Sequence, residues 1–166
     1  MWRFIAIFMI VLAVLFGIEM LNPVQAAVIH PWTSFLAWFS AQLMTVFDAD
    51  VLSYGRIIQS QATGFGVSIE AGCNGVEAVI ILMAGMLAFP APVRLKLIGI
   101  AIGCVAVQGA NILRVISLYY LGKWDKEVFD FAHLYLWQAL IMLDVLVVWL
   151  LWIRSVARHQ GARLAV

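Results

Sequence analysis

Charge is scarce in this chain: its 166 residues hold ten Lys and Arg and nine Asp and Glu, for a formal net charge of +1. So even a balance gives no signal for a nucleic-acid partner, which calls for a basic patch or stripe. Cysteine is scarcer still, with Cys73 and Cys104 alone. Two thiols cannot staple a disulfide scaffold, and nothing in the sequence calls for a metal or a cofactor. Neither low-complexity sequence nor an internal repeat occurs, which excludes solenoids and linker-rich arrays.

What fills the chain instead is apolar surface, at 65% hydrophobic residues and a mean hydropathy of +1.03. A soluble globule of this size cannot bury that much, so the sequence specifies an integral membrane protein and the lipid bilayer is its first partner. One membrane domain over residues 1–166 is the economical reading.

Taken in order, residues 4–21 form a first apolar run of spanning length, interrupted only by Glu19. Arg3 before it and Val24-Gln25-Ala26-Ala27 after it resemble a signal peptide, but the run is long and Asn22-Pro23 ends it early, which favours an uncleaved anchor. Ala26 to Phe47 has no formal charge and places Trp32, Phe35, Leu36, Phe39, Leu43 and Val46 at helical spacing. The segment fits an interfacial amphipathic helix and is also just long enough to span. From Asp48 to Gly72 the pattern turns to Gly, Ser and alternation at Phe65, Val67 and Ile69, which predicts a short β-hairpin on the membrane surface. Three further spans are expected at about 73–89, 95–121 and 133–153, with a polar loop over 122–132. The expected architecture is therefore all-α and membrane-integral: about four spans, an interfacial helix, and a hairpin within an external segment of about 22–72.

Arg94 and Lys96 share a side with Arg154, Arg158 and Arg163, and that side has no acidic residue, so the positive-inside rule makes it cytoplasmic. Asp48, Asp50, Glu70, Asp125, Glu127 and Asp130 then lie outside, the periplasmic side of a bacterial inner membrane.

Three residues converge in depth. Cys73 opens one span from outside and His133 opens another, while Arg114, seven residues before Leu121, lies about 10 Å below the outer surface. Cys104, ten residues earlier on the same helix, is about 15 Å deeper than Arg114, too far to bridge, which leaves Cys73 a free thiol. A guanidinium in a span costs about 2.5–3.5 kcal/mol and needs an interior position and a partner. Gln108, Asn111 and Arg114 make one polar stripe, and Glu77 and Asp144 are candidate ion-pair partners for the arginine. Cysteine attacks carbonyls as a thiolate, and an imidazole can activate it and protonate the leaving amine. Arg114 or backbone N–H groups can hold the oxyanion. The set Cys73, His133 and Arg114 points to acyl transfer on a peptide, with Asn74, Glu77, Asn111 and Asp144 in support. The competing reading is a non-enzymatic membrane scaffold or small transporter subunit, in which Arg114 merely pairs with Glu77 or Asp144. Thiol–disulfide exchange is disfavoured because Cys73 has no second cysteine near it.

The motifs Ala71-Gly72-Cys73-Asn74-Gly75-Val76, Asn111-Ile112-Leu113-Arg114 and Ala132-His133 resemble the exosortase/archaeosortase family of membrane cysteine transpeptidases. Together with Leu87-Ala88-Phe89-Pro90-Ala91-Pro92 and His133-Leu134-Tyr135-Leu136-Trp137-Gln138, they are most similar to the exosortase H branch. That resemblance implies secreted protein substrates carrying a C-terminal motif, a transmembrane helix and a basic tail. It also implies cleavage through a thioester on Cys73 and transfer to an amine or water. Asn74 stands where family members commonly have Ser.

Overall fold

The computed structural model describes the backbone of residues 2–164 and the side chains of residues 2–160, so the Arg163 side chain of the expected cytoplasmic cluster lies outside the described residues. Helices α1 (Trp2–Glu19), α2 (Asn22–Val24) and α3 (His30–Thr45) open the chain, with a π-helical segment Gln25–Ile29 joining α2 to α3. Strands β1 (Val51–Tyr54), β2 (Ile57–Ser60) and β3 (Gly66–Ser68) follow. Then come α4 (Val76–Ala88), α5 (Val93–Trp124), α6 (Lys126–Phe131), a π-helical segment Ala132–Leu136, and α7 (Trp137–Leu164).

Three helical stretches are long and apolar enough to cross a membrane: Trp2–Glu19, Val93–Trp124 and Lys126–Gln160. The span expected over 73–89 is shorter than that. Gly72 and Gly75 sit at φ 82° and 75°, a left-handed backbone that cannot start a helix. At the other end Phe89 is extended before Pro90, as a residue preceding proline should be. The resulting α4 has 13 residues, about 20 Å against a hydrocarbon core of about 30 Å. It is buried on several sides, through Ala78, Ile80, Leu82, Ala84 and Met86, because α1, α5 and α7 all pack around it. The architecture is thus three long helices enclosing a short central one.

Close approach of the long helices depends on small residues. A Cβ at Gly99 would collide with the Trp152 indole, whose Nε1 donates to Leu95 O at 2.9 Å. A Cβ at Gly103 would stand 2.5 Å from Leu82 Cδ2. Leu82, Met86, Val107, Ile141, Val145 and Trp152 form the membrane-depth core.

At the other end α3 lies under a sheet rather than beside a hairpin. The strands pair antiparallel in the order β1-β2-β3, one strand more than expected. Leu36, Met44, Val51, Ile58 and Ile69 pack with Tyr119 of α5 into a second core. The expected loop over 122–132 is helical instead. Asp125 is a single-residue break whose carboxylate accepts from the N–H groups of Glu127 and Val128 at 2.8 and 3.0 Å, capping α6. From there the chain runs helically into α7, and α5 likewise extends past the expected 95–121.

Candidate active site

Cys73 lies in the turn that precedes α4. The turn closes through Cys73 N–H donating to Glu70 O at 3.0 Å, between the two left-handed glycines. The Gly72 N–H donates to Glu77 Oε1 at 2.6 Å, so Glu77 is spent on holding the turn from the first helical turn of α4. Under Gly75 lies the Gln108 side chain, whose Nε2 would be 2.8 Å from a Cβ there. The backbone at that point has room for glycine alone.

Asn74, the residue after Cys73, is 1% exposed and bonded in three directions. Its Oδ1 accepts from Val76 N–H at 3.0 Å, satisfying a free donor at the start of α4. Its Nδ2 donates to Thr33 Oγ1 at 3.3 Å, and its carbonyl accepts from Trp32 Nε1 at 3.4 Å. An amide can donate and accept at once, which a serine of shorter reach cannot do over the same span. Trp32 and Thr33 were not legible as site residues, since both fit the amphipathic pattern of α3.

Arg114 is 4% exposed and reaches into this turn from α5. One amino group, Nη2, approaches Cys73 Sγ at 3.5 Å, and the other, Nη1, donates to Gly72 O at 3.4 Å. The ion pair anticipated with Glu77 or Asp144 does not form. Among the described residues Arg114 has no carboxylate within salt-bridge distance, and Asp144 Oδ2 is buried on α7 without a hydrogen-bond partner. The guanidinium is directed at the sulfur and the turn carbonyl instead. Asn111, one turn below, is fully buried with both amide atoms unpaired, as is Gln108 Oε1.

His133 falls in the π-helical segment that leads into α7, its ring stacked on Phe129 at 5.5 Å and 5°. Its Nδ1 is buried and makes no hydrogen bond among the described residues. Cys73 and His133 line one open cleft of about 680 Å³. Phe65, Ser68 and Glu70 bound it on the sheet side, and Lys126, Phe129 and Asp130 on the helical side. No hydrogen bond joins the imidazole to the thiol, an arrangement common where a bound substrate completes the geometry.

Burial pushes the Cys73 thiol up from its ordinary value, the Arg114 charge pulls it back, and Glu77 and Glu70 add to the rise. Desolvation prevails, so the resting group is a thiol and its attack requires a base. A partly buried thiol, a cation against its sulfur and an imidazole across the cleft can together carry out nucleophilic chemistry on a carbonyl. Cys104 is likewise a free thiol, on α5 outside this cleft.

No curated protein and no solved structure matches the chain. A protein-family model described as transmembrane exosortase (Exosortase_EpsH) matches residues 1–151.

Proposed function

The chain belongs to the transmembrane exosortase family, and from that premise we propose that it is a cysteine peptidase and transpeptidase. In this reading it removes C-terminal sorting signals from secreted proteins at the periplasmic face of a bacterial inner membrane. The observation that carries the reading is the Arg114 guanidinium against Cys73 Sγ, with His133 on the same cleft. Among the described residues this arginine pairs with no carboxylate, and its two amino groups go to the sulfur and to the Gly72 carbonyl.

The chemistry follows from the donors and acceptors present. His133 takes the thiol proton, and the Cys73 thiolate attacks the scissile carbonyl, forming a C–S bond. The oxyanion is held by Arg114, aided by the free N–H groups at the start of α4. Collapse breaks the C–N bond, and the imidazolium protonates the leaving amine, which departs with the tail. An amine or water then attacks the thioester, gives its proton to His133, and expels the thiolate, which His133 reprotonates. Asn74 and Glu77 hold the turn, while Asn111 on α5 and Asp144 on α7 are polar groups on the helices that carry Arg114 and follow His133. Substrates of this kind carry a short motif, a transmembrane helix and a basic end; the acceptor is an amine or water.

The test is a tagged secreted protein bearing such a tail. Cys73→Ala and His133→Ala each abolish tail removal while the protein accumulates in the membrane, and intermediate thioester is trapped by hydroxylamine in wild type alone. Normal tail removal by Cys73→Ala cells would overturn the reading.

A further inference from the structure

The cleft that holds Cys73 and His133 is bounded by a strand edge. β3 pairs with β2 on one side, and the order β1-β2-β3 leaves its other side free. The register determines which backbone groups face outward. Phe65 O accepts from Ser60 N–H at 2.8 Å, and Ile69 N–H donates to Arg56 O at 3.0 Å. Val67 stands opposite Ile58 between these two bonds. The backbone groups of Phe65, Val67 and Ile69 therefore turn toward β2, and those of Gly66 and Ser68 turn away from it. Gly66 and Ser68 are exposed, and among the described residues their backbone N–H and C=O groups take no partner. Both line the same cleft as Cys73 and His133.

A free strand edge is a template for another extended chain, and proteins ordinarily blunt it with lysine, proline or a covering element. This edge is short, at three residues, but carries neither lysine nor proline; it has a glycine and a serine, small residues that let a second backbone approach. We propose that the free edge of β3 is the peptide subsite of this cleft: the substrate segment beside the scissile bond adds to Gly66 and Ser68 as a fourth, extended strand. The assignment rests on the peptidase reading above. Backbone pairing supplies affinity without regard to side chains, while alternate side chains of the peptide face the cleft and set preference. The substrate class is accordingly an extended polypeptide segment, one that is neither helical nor folded where it is cut.

The probe is a tagged secreted protein whose tail is removed in wild-type cells and retained in Cys73→Ala cells. Ser68→Pro deletes the outward N–H, together with the Ser68 Oγ bond to Glu70 Oε1 at 2.8 Å, and leaves the β2 ladder intact. It is expected to slow tail removal about tenfold or more, with Cys73 alkylated by iodoacetamide at the wild-type rate. Ser53→Pro makes the same change on the far edge. Asp50 O accepts from Gln61 N–H at 2.9 Å and Leu52 stands opposite Gln59, so the Ser53 backbone also turns away from β2. That variant is expected to process the probe at close to the wild-type rate. In a second arm, proline is moved one residue at a time through the probe beside its cut site, and sensitivity is expected to alternate with a period of two. Wild-type processing by Ser68→Pro, an equal loss in Ser53→Pro, or uniform sensitivity along the scan each overturns the strand-addition proposal. Should Ser68→Pro fail to accumulate, the scan decides alone. A tail that is removed equally in Cys73→Ala cells overturns the peptidase reading and this inference with it; dependence on Cys73 without alternation overturns this inference alone.

Discussion

Asn74 donates to Thr33 Oγ1 at 3.3 Å across 41 positions of sequence, which ties the turn bearing Cys73 to α3 as well as to α4. Cys73 is held between these two elements, and Asn74 is the clasp.

Removing that clasp should therefore loosen the turn. In Asn74→Ala the Val76 N–H loses its acceptor and Thr33 Oγ1, which still donates to Ile29 O, loses the donor it accepts from, at a cost of about 1–3 kcal/mol. Asn74→Ser keeps an acceptor for Val76 but cannot reach Thr33, and should fall between wild type and Asn74→Ala. Thermal unfolding in detergent, read alongside tail removal, checks the order.

Two glycines of the turn should respond unequally to alanine. Both carry positive φ, but a Cβ at Gly72 meets nothing within 4 Å, whereas one at Gly75 meets the Gln108 amide at 2.8 Å. Gly72→Ala should cost about 1 kcal/mol for the left-handed backbone alone, and Gly75→Ala distinctly more. Adding Gln108→Ala to Gly75→Ala should recover the steric part and no more, as a double-mutant cycle by unfolding would show.

The reactivity of Cys73 with pH carries a sign for each neighbour. Arg114 pulls the thiol down, so Arg114→Gln should move the midpoint of iodoacetamide alkylation to higher pH and lower the rate at neutrality. Glu77 pushes the thiol up, so Glu77→Gln should move the midpoint the other way. Shifts of the same sign in both variants would mean that the turn has moved and that charge is not what sets the midpoint.

Gly99→Ala should disturb the bundle far from the site. The new methyl collides with the Trp152 indole and breaks its bond to Leu95 O, at a cost of about 1–3 kcal/mol by overpacking. Trp152→Phe on the same background should restore part of the lost thermal stability, since a smaller ring leaves room for the methyl.

Helix rise converts sequence position into height, which puts Cys73, Arg114 and His133 at one level of the bundle. Height says nothing of direction, so it leaves open both Cys73 and a carboxylate as the target of Arg114; the guanidinium goes to the Cys73 turn, and Glu77 is taken by the Gly72 N–H. Composition hides the short α4, since Cys73 to Phe89 is apolar apart from Asn74 and Glu77 and only the φ of Gly72 and Gly75 delays the helix. Alternation at Phe65, Val67 and Ile69 revealed β3. The pairing of Val51–Tyr54 with Ile57–Ser60 was not legible as a separate hairpin, because neither run alternates cleanly. Asp125 stands in a polar stretch that reads as a loop, although a carboxylate ahead of helix-forming residues is also a helix start.

Helix α5 has 32 residues, about 48 Å, in a film whose apolar interior is about 30 Å thick. A rod of that length must stand proud of the bilayer, and its upper end, with Gly122, forms part of the cleft wall. The cleft is thereby fixed at a set height on a post footed in lipid. A thicker or thinner bilayer changes how far the post protrudes, and with it the height of Cys73 above the lipid.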